Sequence, residues 1–157
     1  MSRENIGSLV VRQAEFLGTK DIDLFSVDVD GNDFHILAEA LHSISPKVIC
    51  VEYNPKFPPP VSIVMPYDAA FRYQGDDYHG ASLQAFCDAL AGYKLVCCNL
   101  TGANAFFVRT ELAGVFPTFD PNQLYQPFRD NLIYVKSEHI PSLKWLRGSL
   151  ALSSGLK

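Results

Sequence analysis

Ile22-Asp23-Leu24-Phe25-Ser26-Val27-Asp28-Val29-Asp30-Gly31-Asn32-Asp33 is the stretch whose reading decides the fold. Residues 22–29 form a short, mostly apolar run, as a buried strand requires. Asp30-Gly31-Asn32 then turns the chain, and Asn32 or Asp33 is placed to cap a helix. That helix, about 33–42, puts Phe34, Leu37, Ala38 and Leu41 on one stripe. Pro46 ends the connection, and Val48-Ile49-Cys50-Val51-Glu52-Tyr53 reads as a second buried strand closed by Asn54-Pro55. A strand, a helix and a strand in this span need a crossover, so the two strands are expected to run parallel and to be central in their sheet.

Outward from this unit the pattern stays mixed. Residues 4–17 have helical spacing and end at Gly18. Residues 54–81 are rich in proline and aromatic side chains, a stretch long enough to serve either as a substrate lid or as a packed surface loop. Ser82 is positioned to cap a helix over 82–91 with Leu83, Phe86, Cys87 and Leu90 on its apolar face. Residues 93–98 and 105–109 read as an antiparallel hairpin joined through Asn99–Asn104. The division expected is an α/β domain over 1–110 and an appendage over 111–157, the latter with a helix near 140–152.

Composition narrows the function classes. The chain has 157 residues, 48% apolar, 19% charged, with a formal net charge of −4. That suits one packed domain. It disfavours nucleic acid and anionic membranes as partners, because no basic run is present. The polar N-terminus and the lack of a run of about 20 apolar residues predict a soluble, cytoplasmic protein. The four cysteines, Cys50, Cys87, Cys97 and Cys98, include no CxxC pair. They read as reduced thiols, with Cys50 and Cys87 on apolar faces.

The polar groups that could do chemistry fall where ligands bind in open parallel sheets, at the carboxyl ends of the strands. By strand alternation Asp28 and Asp30 share one side, and Glu52 and Asn54 share the corresponding side of the next strand. Four oxygen-bearing groups so placed are a candidate site for a hard cation such as Mg²⁺. A carboxylate inside an apolar strand, as at Asp28, is costly without a partner. The bland alternative for Asp30, Asn32 and Asp33 is that they shape the turn and cap the helix. His79, just before Gly80-Ala81-Ser82, is a candidate general base or anion contact, with a solvated loop histidine as the alternative. His35, Glu39 and His42 read as surface residues.

Asp21 through Asp33, with Val51-Glu52-Tyr53-Asn54, Tyr78-His79-Gly80-Ala81-Ser82-Leu83 and Gly102-Ala103-Asn104-Ala105-Phe106-Phe107-Val108-Arg109, resembles the second half of a class I S-adenosylmethionine-dependent methyltransferase of the FkbM-like kind. The resemblance covers roughly residues 4–110. It implies a partial Rossmann-like sheet, parallel strands with a terminal antiparallel hairpin, and helices on both faces. It implies S-adenosyl-L-methionine as cofactor, with Asp28, Asp30 and Gly31 as the floor under the methyl donor, and Asp28, Glu52 and His79 as catalytic candidates. A divalent metal held by Asp28, Asp30, Glu52 and Asn54 follows from the same likeness. The methyl acceptor would be a small molecule or a sugar hydroxyl. The sequence departs from the family in having no GxG among its ten glycines, so the cofactor loop and the first three strands of the full fold are missing. An open, apolar strand edge is then expected, and with it self-association or a complementing chain.

Two other readings compete. One is a non-catalytic remnant or interaction module that keeps the sheet without the activity. The other is a Mg²⁺-dependent phosphatase of the haloacid dehalogenase type. Val27-Asp28-Val29-Asp30-Gly31 resembles that family's nucleophile motif, with Asp28 attacking phosphorus and Asp30 as acid and base. Gly75-Asp76-Asp77 loosely resembles its later acidic pair.

Overall fold

A computed structural model of the chain describes residues 1–129. The element order is α1 (Arg3–Phe16), β1 (Leu24–Val27), α2 (Asp33–Ala40), β2 (Val48–Glu52), α3 (Leu83–Ala89), β3 (Tyr93–Cys98), β4 (Asn104–Arg109), a 3-10 turn (Thr110–Val115) and a short α4 (Pro121–Leu124). The helix expected near 140–152 lies outside the described residues. No described helix is long and apolar enough to cross a membrane.

The four strands form one open mixed sheet in the order β1-β2-β4-β3. β1 and β2 are parallel, with Leu24 opposite Val48 and Val27 opposite Val51. β4 lies antiparallel to both β2 and β3, so β3 runs in the same direction as the first two. The hairpin turn is built on Asn99, whose side-chain oxygen accepts the N–H groups of Ala103 (2.9 Å) and Asn104 (3.0 Å). β2 is central, as expected. β1 is an edge: among the described residues only β2 pairs with it.

Strand alternation sorts the sheet's side chains into two sets. Val27, Ile49, Val51, Tyr53, Leu95, Ala105 and Phe107 join one core cluster with Ile6 of α1, Ile36 and Leu37 of α2, and Phe86 of α3. Phe34 and Phe86 meet at 5.5 Å between ring centroids, joining α2 to α3. The described helices therefore gather on one face, whereas the resemblance implies helices on both. The opposite positions, Leu24, Ser26, Cys50 and Cys97, recruit no described helix, and Leu24, Ser26 and Cys97 stay exposed. At one end of that face the 3-10 turn folds back, where Lys94 donates to the Phe116 carbonyl (2.6 Å) beside Val108.

The 54–81 segment is a packed loop with anchors along its length. Met65 is 1% exposed. Tyr67 donates its hydroxyl hydrogen to Glu4 and accepts the Arg3 N–H, both at 3.0 Å. Asn32 uses its amide to donate to the Asp68 carbonyl (2.9 Å), so it does not cap α2 with its side chain. Ser82 does cap α3, accepting the Ala85 N–H.

Candidate functional site

The site begins where β1 ends. The strand stops at Val27, and Asp30 takes a left-handed φ of 54°, so the alternation that would align Asp28 with Asp30 does not reach Asp30. Gly31 follows at φ 128°, and a Cβ there would sit 2.4 Å from the Phe71 ring. Both the backbone angle and the close approach require glycine. Asp33 then turns back into the bend. Its two oxygens accept the N–H groups of Val29 and Gly31, each at 2.9 Å, and the residue is 1% exposed. Burial raises the pKa of this carboxyl in spite of those two bonds.

The last registered pair between β1 and β2 is Val27 with Val51, and one residue farther along each segment the Glu52 and Asp28 carboxylates come together. One oxygen from each of Asp28, Asp33 and Glu52 lies within 4.8 Å of the others. The third acid at this point is thus Asp33, where the sequence reading places Asp30. Asp33 reads as a capping residue in the sequence, and only the tight bend at Asp30-Gly31 brings its carboxylate back over the strand ends. Glu52 is pushed up to about 8, first by burial and then by the charges of Asp33, Asp28 and Asp30. A carboxyl with that value holds or releases a proton near neutral pH, as a general acid or base must.

Asn54 has a structural role. Its amide nitrogen donates to the carbonyls of Asp77 and His79, both at 2.8 Å, and its oxygen accepts the Lys56 N–H at 3.0 Å. Its hydrogen-bonding groups are thereby engaged in holding the loop, not turned toward Asp28. The loop is brought against the β1–α2 bend by the Gly80 N–H, which donates to the Gly31 carbonyl (3.1 Å). This places the His79-Gly80 backbone beside the acidic bend. The His79 side chain is buried, not solvated, and its ring meets that of Tyr73 edge-on at 5.4 Å. Asp77, one of the acids the phosphatase reading uses, is buried and ion-paired with Lys56 at 3.0 Å.

His35 also departs from its expected surface role. Its Nε2 lies 2.8 Å from the Met65 carbonyl, and its ring packs on Phe34 and Tyr67. His42 remains exposed beside Glu39. The cysteines form no disulfide. Burial holds the Cys87 thiol at about 11 and that of Cys98 at about 12, which keeps both protonated and poorly nucleophilic at neutral pH.

The donor set can be weighed against a divalent cation on this geometry. Three carboxylate oxygens close together suit a hard cation, but Asp33 already satisfies backbone donors with both of its oxygens. Asp28 and Glu52 are the residues freest to hold a metal. Comparison with protein-family models, with curated proteins and with solved structures found no match.

Proposed function

We propose that this chain is the substrate-side half of a class I methyltransferase-type domain, using S-adenosyl-L-methionine and transferring its methyl group to an oxygen nucleophile. The observation that supports it best is the clustering of Asp28 and Glu52 at the ends of two parallel strands, beside an antiparallel hairpin and a β1 edge that no described strand covers. This is the arrangement the resemblance implies for the second half of a partial Rossmann-like sheet. The glycine-rich cofactor loop is not among these residues and would be supplied by a further polypeptide segment.

In this reading Asp28 and the Asp30-Gly31 bend form the floor under the methyl donor. The bound cofactor supplies an electrophilic methyl group. Glu52, with its pKa near 8, takes the proton from the acceptor hydroxyl as the oxygen is methylated. Asp33 holds the bend in shape, and Asn54 holds the His79 backbone against it. Mg²⁺, if used, would sit on Asp28 and Glu52. The acceptor is a small molecule or a sugar hydroxyl.

The test is reconstitution. The chain is co-expressed with a polypeptide that supplies a strand followed by a glycine-rich loop, and S-adenosylmethionine binding is followed by calorimetry. Binding that Asp28→Asn weakens about tenfold supports the reading, a loss in the range of one charge-assisted hydrogen bond. No binding by any such complex removes it. The absence of GxG from the chain favours one second reading, a non-catalytic interaction module. That reading expects a stable complex with the complementing half and no methyl transfer.

A further inference from the structure

We propose that the outer edge of β1 binds an extended apolar segment of a different polypeptide, with basic residues flanking it, and that it rejects a second copy of this chain. Val48 donates its N–H to the Asp23 carbonyl, so alternation turns the Phe25 and Val27 backbone toward β2 and leaves the N–H and C=O groups of Leu24 and Ser26 facing outward. Beside that edge runs a groove of about 510 Å³ between β1 and α1, lined by Ile6, Leu9, Val10, Leu17, Leu24 and Phe25 among others. Leu24 is 56% exposed and Leu17 68%. A backbone edge that no described strand covers, beside an apolar groove, is the geometry of strand addition: main-chain bonds give affinity and alternate side chains fill the groove.

Charge selects the occupant. Asp21 and Asp23 stand at the start of β1, where Lys47 pairs with both. Asp28 stands at its other end with Asp33 and Glu52 clustered beside it, and Asp30 follows in the bend. A second copy paired antiparallel sets Asp23 against the Asp28 end. Paired parallel, it sets the Asp28 ends side by side. Both directions bring carboxylates together, whereas lysine or arginine at the ends of a foreign segment complements them. The inference rests on the methyltransferase reading for which protein supplies such a segment.

The test uses the full chain and a short synthetic peptide of alternating valine and isoleucine, capped at both ends by lysines. Controls are the same peptide capped by glutamates and one broken by a central proline. Amide hydrogen exchange is read at Leu24 and Ser26, and affinity by titration calorimetry. The lysine-capped peptide is expected to slow exchange at both amides and to bind at least about tenfold tighter than the glutamate-capped one. Ser26→Pro removes an outward donor without touching the β1–β2 ladder, and Leu24→Lys opposes the basic caps. Each should weaken binding about tenfold, a step of the size expected for one lost interaction. Equal affinity for both caps, or no protection at these amides, overturns the proposal. Slow exchange there in the free chain, from self-pairing or from residues 130–157 already on the edge, overturns it too. Peptide docking without S-adenosylmethionine binding in any reconstituted complex would remove the methyltransferase reading and leave this one standing; cofactor binding without docking at β1 would do the reverse.

Discussion

Burial and the three nearby carboxylates push the Glu52 carboxyl up to about 8 from an ordinary value of 4.5. The unfolded chain releases the carboxyl proton near 4.5, so between there and about 8 the folded state binds more protons than the unfolded one. Stability from this group is therefore full below about 4.5, falls as pH rises, and is lost above about 8. Discounted for partial exposure, the fall should total about 2 kcal/mol, read from urea midpoints across the pH range, and Glu52→Gln should remove most of it. A midpoint independent of pH in the parent chain would contradict the burial of this carboxyl. Asp33 acts in the opposite sense for the backbone. Asp33→Ala leaves the buried N–H groups of Val29 and Gly31 without acceptors and should cost about 3 kcal/mol, with Asp33→Asn costing less because one oxygen acceptor remains. Thermal denaturation of the two variants checks this, and equal, negligible losses would contradict the geometry of the bend. The sequence reads Asp28 as a costly carboxylate inside an apolar strand, but the strand ends at Val27 and Asp28 is exposed, so it carries no burial cost to offset. Nor can it show that Asp33 joins Asp28 and Glu52, because capping and clustering residues look alike until the left-handed Asp30 and the glycine after it fold the bend over the strand.

Among the elements, the bend and the long loop hold each other. Gly31 lies under the Phe71 ring, Gly80 donates to the Gly31 carbonyl, and Asn54 gathers the carbonyls of Asp77 and His79. Gly31→Ala should destabilise by about 2 kcal/mol through its positive φ and the Phe71 contact. Adding Phe71→Ala should return only the steric share, so the pair should be non-additive in a double-mutant cycle. Additive losses would mean that the ring does not cover the bend. Asn54→Ala should free the loop, seen as faster proteolysis within 54–81 than at other sites. The strands, the two principal helices between them and the hairpin are legible from periodicity, and so is the cap at Ser82. The loop's function is not, because prolines and aromatic residues suit a moving lid and a packed surface equally. Its side-chain bonds to Glu4 and Asn32 resolve that ambiguity toward packing. The placement of β4 between β2 and β3 is also hidden, since a hairpin's sequence does not say which of its strands faces the sheet.

At the scale of the molecule, the described helices dress the sheet on one face, and β1 and β3 are its two edges. Three helices contribute to a core that Val27, Ile49, Val51 and Phe107 share, while Leu24 and Cys97 stand exposed on the other side. Apolar patterning cannot distinguish a strand covered on both faces from one waiting for a partner, so the one-sided core is visible only in three dimensions. The carboxylate site sits where this open side meets the strand ends, and the function proposed for it depends on Asp28 and Glu52 being neighbours on co-directional strands. A metal there would compete with the proton on Glu52, so millimolar Mg²⁺ should lower the Glu52 midpoint by about one unit if the pair is a cation site, and leave it in place if it is not. The most direct check is carboxyl-selective NMR titration of Glu52 in the parent chain and in Asp28→Asn. The expected result is a midpoint near 8 that drops when the Asp28 charge is removed. A midpoint near 4.5, unmoved by that substitution, would contradict the pairing on which the proposed site is built.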